Sequence, residues 1–254
     1  MAAKESGRNI KLIAYQHSFV PSLLLNYFLG FEESNNMPLP DIIVANGEYT
    51  LELLKSAGYG EVKLVNGGAF RYEHLYEMGE RLTKQEGKLK TVLVALPYRA
   101  NLAKEMLLAT FNAFKDLEKE NIRIIIKPHP VVPLKRLKIQ LPAWPAHFQE
   151  TDKSVPEILK EVDLLIYSSS TTGLEAFLVG VPVIKYRSEH IIDFDALDTL
   201  SGTAIRSCSE NNMKHVVLSV LNEGSNRFAR QSAGSLDRFF SPVDEDVWKQ
   251  IVKH

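Results

Sequence analysis

Cysteine is almost missing from this chain: one residue, Cys208, in 254. No disulfide can close within the chain and no cysteine-based zinc cluster can form, which fits a reducing compartment. Net charge is missing too, since 30 Lys and Arg face 31 Asp and Glu, leaving −1. That balance supplies no global field for nucleic acid or a membrane surface, and no nucleic-acid partner is expected. No apolar run approaches the ~18 residues needed to span a bilayer. The polar start Met1-Ala-Ala-Lys-Glu-Ser-Gly-Arg8 lacks an apolar signal-peptide core, so a cytoplasmic setting is expected. No HExxH spacing occurs, and no metal is expected. What remains is an ordinary globular composition, 45% hydrophobic and 24% charged, sufficient for one large or two small domains.

Short apolar runs alternate with helical patterns along the chain. Ile10–Tyr15, Ile42–Ala45 and Val62–Val65 read as strands. Phe19–Gly30 reads as a helix after Pro21, and Glu48–Ala57 as one closed by Gly58. This is βαβαβ order, which predicts a parallel sheet. Residues 69–90 are rich in charge and read as a helical linker. A fresh unit follows, with strands at Thr91–Leu96 and Ile122–Lys127 and an amphipathic helix over 101–119. Mostly loop is expected at 131–147, which three prolines interrupt. A capping box at Ser154–Glu157 opens a further helix. Helices are also expected at 211–221 and 243–252. The predicted organisation is α/β, with two Rossmann-like parallel-sheet domains. Residues 1–87 form a partial first domain with its linker, and 88–254 form the second with the terminal helices.

The most informative stretch runs from Asp163 to Tyr186. Leu164–Ile166 reads as a buried strand, Ser168–Thr172 as five consecutive hydroxyl residues, and Glu175–Val179 as a short helix stopped at Gly180. Hydroxyl donors at a helix start, with unpaired N–H groups and the positive end of the dipole, make an anion site. Ser170 and Thr171 are the preferred phosphate donors, with Ser169 and Thr172 beside them; capping of the helix is the alternative reading. Glu175 accepts from ribose hydroxyls or is an ordinary first-turn acid. Lys127-Pro-His-Pro130 ends another predicted strand, read as a neighbour of the first, and its prolines stiffen the loop that carries His129. That imidazole serves a phosphate or ribose oxygen, or else bonds a carbonyl within its own turn. Arg99 is a candidate phosphate clamp and Tyr98 a candidate base-stacking residue; an exposed loop arginine and a cover for the sheet end are the alternatives.

From Thr91 to Tyr186 these residues resemble the donor-binding domain of GT-B glycosyltransferases. The pairing of His129-Pro130 with Ser170-Thr171 is similar to the HP and SS/T motifs of bacterial sialyltransferases and Kdo transferases. It also resembles the CDP-glycerol glycerophosphotransferases of cell-wall polymer synthesis. The resemblance implies a metal-independent transferase of surface-polysaccharide synthesis. It would use a CMP- or CDP-linked donor as substrate, without a cofactor, and a glycan or lipid-linked acceptor, with peripheral contact at the inner membrane face. It further implies that His129 and the hydroxyl pair touch the donor phosphate and that His17 resembles the base of the CDP-glycerol relatives; a histidine packed on a strand edge is the alternative for His17. The Asp/Glu-Asp/Glu-Gly motif that supplies the base in many sialyltransferases is absent. Residues 1–87 carry about three strands where a full acceptor domain has more, so the first domain is expected to be incomplete. A UDP-sugar transferase or epimerase and a non-catalytic nucleotide-binding domain are the competing readings.

Overall fold

The computed structural model describes residues 10–21, 24–30, 32–60, 62–78, 89–117, 121–138, 144–191, 195–199, 205–223 and 235–253. Among them the strands form two wholly parallel sheets, one of three strands and one of six, as the alternating pattern predicts. The chain divides into two compact units. One comprises Met1–Glu77 with Gly234–His254, the other Met78–Ala233.

In the first unit, β1 (Ile13–Tyr15), α1 (Glu33–Asn36), β2 (Ile42–Ala45), α2 (Glu48–Ser56), β3 (Lys63–Asn66) and α3 (His74–Met78) follow one another. The sheet order is β1-β2-β3. A sheet wound in one direction by right-handed crossovers receives its crossover segments on one face only. The helix expected over Phe19–Gly30 is reduced, among the described residues, to a 3-10 turn at Leu25–Tyr27. Residues 22 and 23 lie outside the description. Leu25 is 72% exposed, so the apolar pattern there lacks the burial from which a short helix draws its stability. Of the 69–90 linker, a 3-10 turn at Phe70–Tyr72 and α3 are described, and 79–88 lie outside.

The second unit runs β4 (Lys90–Ala95), α4 (Ala100–Phe114), β5 (Ile122–Lys127), α5 (Leu134–Lys138), β6 (Phe148–Glu150), α6 (Val155–Leu159), β7 (Leu164–Tyr167), α7 (Thr171–Leu178), β8 (Val183–Tyr186), β9 (Arg206–Cys208) and α8 (Met213–Glu223). The order β6-β5-β4-β7-β8-β9 makes the sheet doubly wound, with the direction reversing between β4 and β7. Val92, Val94, Ile124, Ile126, Leu164 and Ile166 form the core on one face with Leu102, Met106 and Phe114 of α4 and Val217 of α8. The alternate residues Leu93, Ile125, Leu165 and Val183 are buried as well, which explains why these strands read as continuous apolar runs. α6 opens with the expected capping box, Ser154 and Glu157 bonding each other's backbone N–H groups. α5 falls inside the stretch expected to be mostly loop. Its Leu134 and Leu137, one turn apart, are 1% and 7% exposed, and that burial holds a helix directly after Pro133.

The C-terminal segment departs from the expected division. α9 (Leu236–Phe239) and α10 (Glu245–Val252), read by position as part of the 88–254 unit, pack with the three-stranded sheet instead. Ile251 joins Ile42 and Val44 in one cluster, with Tyr15, Val65, Val247 and Trp248 around it. Trp248 Nε1 donates to the Gly67 carbonyl at 2.8 Å. A Cβ at Gly67 would lie 2.4 Å from Val44 Cγ1, and one at Gly68 (φ +83°) 2.2 Å from the Pro242 carbonyl, so both turns need glycine.

Candidate functional site

Three loops leave adjacent carboxyl ends of the six-stranded sheet: Leu96–Arg99 after β4, Pro128–Val131 after β5, and Ser168–Ser170 after β7. Open α/β sheets bind ligands at this edge, where the winding reverses. The sequence placed the His129 and Ser170 loops on neighbouring strands. In the structure β4 lies between them, because the chain returns across β4 before laying down β7. The two loops therefore flank the Tyr98–Arg99 loop, with their strands separated by two spacings of ~4.8 Å.

In the central loop, Tyr98 is 53% exposed and its ring meets His129 edge-on, with centroids 6.1 Å apart. Arg99 Nε donates to the Tyr98 hydroxyl at 3.2 Å, and its guanidinium lies over the same ring. Arg99 is also the N-cap of α4, with no side-chain cap bond. His129 is half-buried, and that burial pushes its pKa below the ordinary histidine value. Its Nδ1 accepts from the Val131 N–H at 3.3 Å, so a neutral ring carries its proton on Nε2, as a donor. Pro130 follows at the exposed tip.

At β7, Ser168 is buried and Ser169 takes a positive φ of 45°, turning the chain sharply into α7. Ser170 is the N-cap. Its Oγ accepts from the Thr172 N–H at 3.2 Å and donates to Thr172 Oγ1 at 3.2 Å. Capping thus engages Ser170 and Thr172, whereas half-buried Thr171 makes no side-chain hydrogen bond among the described residues. The helix starts this close to the sheet because Gly173 lies on the Tyr167 ring, where a Cβ would come within 2.2 Å. Glu175, one turn into α7, is only 6% exposed. His17 lies in the other unit, exposed just past the carboxyl end of β1.

Two charged networks at β8 escaped the sequence reading. Lys185, 3% exposed, pairs with buried Asp195 at 3.5 Å and with Asp198 at 2.7 Å. On the opposite face Glu105 of α4 accepts from the Tyr186 hydroxyl at 2.9 Å and from Ser188 Oγ at 2.8 Å. Burial, then the Glu105 bond, pushes the Tyr186 phenol up. The available signal was a lysine inside the apolar run Val183-Ile-Lys-Tyr186, since a buried charge needs a partner.

No protein-family model and no curated protein matches the sequence. Solved structures do match the fold. The glycotransferase of kitacinnamycin aligns at TM-score 0.57 and 14% identity, over 88% of this chain and 57% of its own. The UDP-GlcNAc 2-epimerase from Neisseria meningitidis bound to UDP-GlcNAc aligns at TM-score 0.58 and 14% identity, over 88% of this chain and 67% of its own. The wall teichoic acid polymerase TagF aligns at TM-score 0.53 and 15% identity, over 97% of this chain and 68% of its own. The fold is of the GT-B type. This GT-B-type chain spans between 57% and 68% of the length of these three proteins. Among its described residues no helix is long and apolar enough to cross a membrane.

Proposed function

We propose that this chain binds a nucleotide-linked sugar, or a related group, by its phosphate at the edge formed by β5, β4 and β7, and serves glycosyl or glycerophosphate transfer from a CMP- or CDP-linked donor. The observation that carries the reading is the convergence of His129, the Tyr98–Arg99 loop and the start of α7 at the winding reversal. The N–H groups of the first turn of α7 and the Thr171 hydroxyl take one phosphate. His129 Nε2–H donates to an oxygen that gains charge as the nucleotide leaves. The acceptor hydroxyl forms the new bond to the transferred group as that group's bond to phosphate oxygen breaks, and the hydroxyl proton passes to a base. His17 is the proposed base: His17→Ala lowers kcat while nucleotide affinity stays put, and lost affinity would remove it from that role.

A UDP-linked donor is the second reading. It is favoured by the likeness to a fold that binds UDP-GlcNAc in the meningococcal epimerase. Calorimetry with CMP, CDP, UDP and GDP separates the two. Binding of CMP or CDP, lost in His129→Ala, supports the first. Binding of UDP alone moves the chain to the second. Unchanged affinity in His129→Ala refutes the assigned edge for either.

A further inference from the structure

Lys127, at the last position of β5, is a half-buried cation without a counter-charge among the described residues. Its Nζ donates to the Lys153 carbonyl at 2.6 Å and pairs with no carboxylate among the described residues. The neighbouring cations differ. Lys153 is paired with Glu161, Lys185 with Asp195 and Asp198, and Arg99 lies on the exposed Tyr98 ring. An ammonium drawn partly out of water without an anion is unfavourable, and a bound anion would relieve that cost.

The register decides where this cation faces. Ile124 and Ile126 point into the α4 core, so Lys127 shares the opposite face with Ile125. Lys127 is paired with Ala95, and Ala95 with Tyr167, in one row across the sheet. Tyr167 lies under Gly173 in the first turn of α7, so the row ends at that helix start. Within that row Ala95, a small side chain, is the residue between Lys127 and Tyr167. The row spans two strand spacings, about 10 Å, and the four-carbon lysine stem covers much of it.

We infer that Lys127 is the phosphate-binding cation of this edge, leaving the Lys153 carbonyl to reach across Ala95 toward an anion held at the start of α7. The inference rests on the nucleotide-phosphate reading above. It divides the labour: Lys127 supplies charge, and His129, whose Nδ1 is engaged by Val131, supplies one hydrogen bond from Nε2.

The test is calorimetry of the full chain and its Lys127→Gln and Lys127→Arg variants. The titrants are CDP and UDP, their monophosphates, and the parent nucleosides. Lys127→Gln is expected to weaken diphosphate binding about tenfold or more, as loss of a charged hydrogen bond does. Nucleoside binding and Tm should stay unchanged, and Lys127→Arg should retain most of the affinity. Added NaCl should weaken the wild type more than Lys127→Gln. Equal diphosphate affinity in wild type and Lys127→Gln overturns the inference. So does an equal loss for the nucleosides, which would make Lys127 a structural prop. A wild type that binds none of the nucleotides overturns the underlying reading instead, a result distinct from either.

Discussion

Ser170 is the N-cap of α7, and in the proposed site it would serve a ligand as well. Its hydroxyl holds the Thr172 N–H, the role an N-cap requires, and it stands where a phosphate would meet the helix. The two roles come apart by substitution. Ser170→Gly keeps an acceptable cap and should cost only a few tenths of a kcal/mol, whereas Ser170→Ala should cost about 1 kcal/mol in urea denaturation. If the hydroxyl also binds the donor, both variants lose nucleotide affinity alike; affinity that tracked stability would leave Ser170 a cap alone. His129 gives a second residue-scale prediction. Its folded pKa is depressed by burial, so the unfolded chain binds the proton more readily. Stability is therefore intact above the ordinary histidine value of about 6.5 and declines as pH falls below it, levelling once the folded ring is also protonated. Denaturation from pH 7.5 to 5 should show this decline weakened in His129→Gln. Parallel curves for the two proteins would contradict it.

At the scale of elements, the C-terminal helix α10 completes the three-stranded sheet. Crossover segments packed on one face leave the other to be covered from elsewhere in the chain, and Ile251, at 3% exposure, does so against Ile42 and Val44. Ile251→Ala should cost about 2–4 kcal/mol, read by denaturation with Trp248 fluorescence. A cost below about 1 kcal/mol, that of an ordinary surface change, would show that the helix does not secure the sheet. This packing was not legible in the sequence, because α10 is roughly 180 to 240 residues from the strands it covers. Local signals read well: the doubly buried strands around Ile42, Val92, Ile124 and Leu164, the Ser154–Glu157 capping box, and the helix stops at Gly58 and Gly180, both with positive φ. Signals that depend on tertiary burial did not. In the Phe19–Gly30 pattern Phe19 and Val20 are buried but Leu25 is exposed, and α5 formed among prolines because Leu134 and Leu137 were covered.

For the whole molecule, the loops of the candidate site were legible but their order was not. Pro128-His129-Pro130 and Ser168–Thr172 announce themselves by composition, whereas the reversal that inserts β4 between them leaves no linear trace. It moves the Tyr98–Arg99 loop to the centre of the edge. The buried Lys185–Asp195 pair was hidden for a related reason, since its partners meet only after the chain leaves β8. The central claim is that a donor phosphate sits at the reversal, and a crystal structure with a bound pyrimidine nucleoside diphosphate tests it most directly. The predicted result is a phosphate oxygen about 3 Å from the first-turn N–H groups of α7, with His129 Nε2 facing the same diphosphate. A nucleotide bound instead in the open cleft lined by Asn112, Asp116, Lys214 and His215 would contradict it.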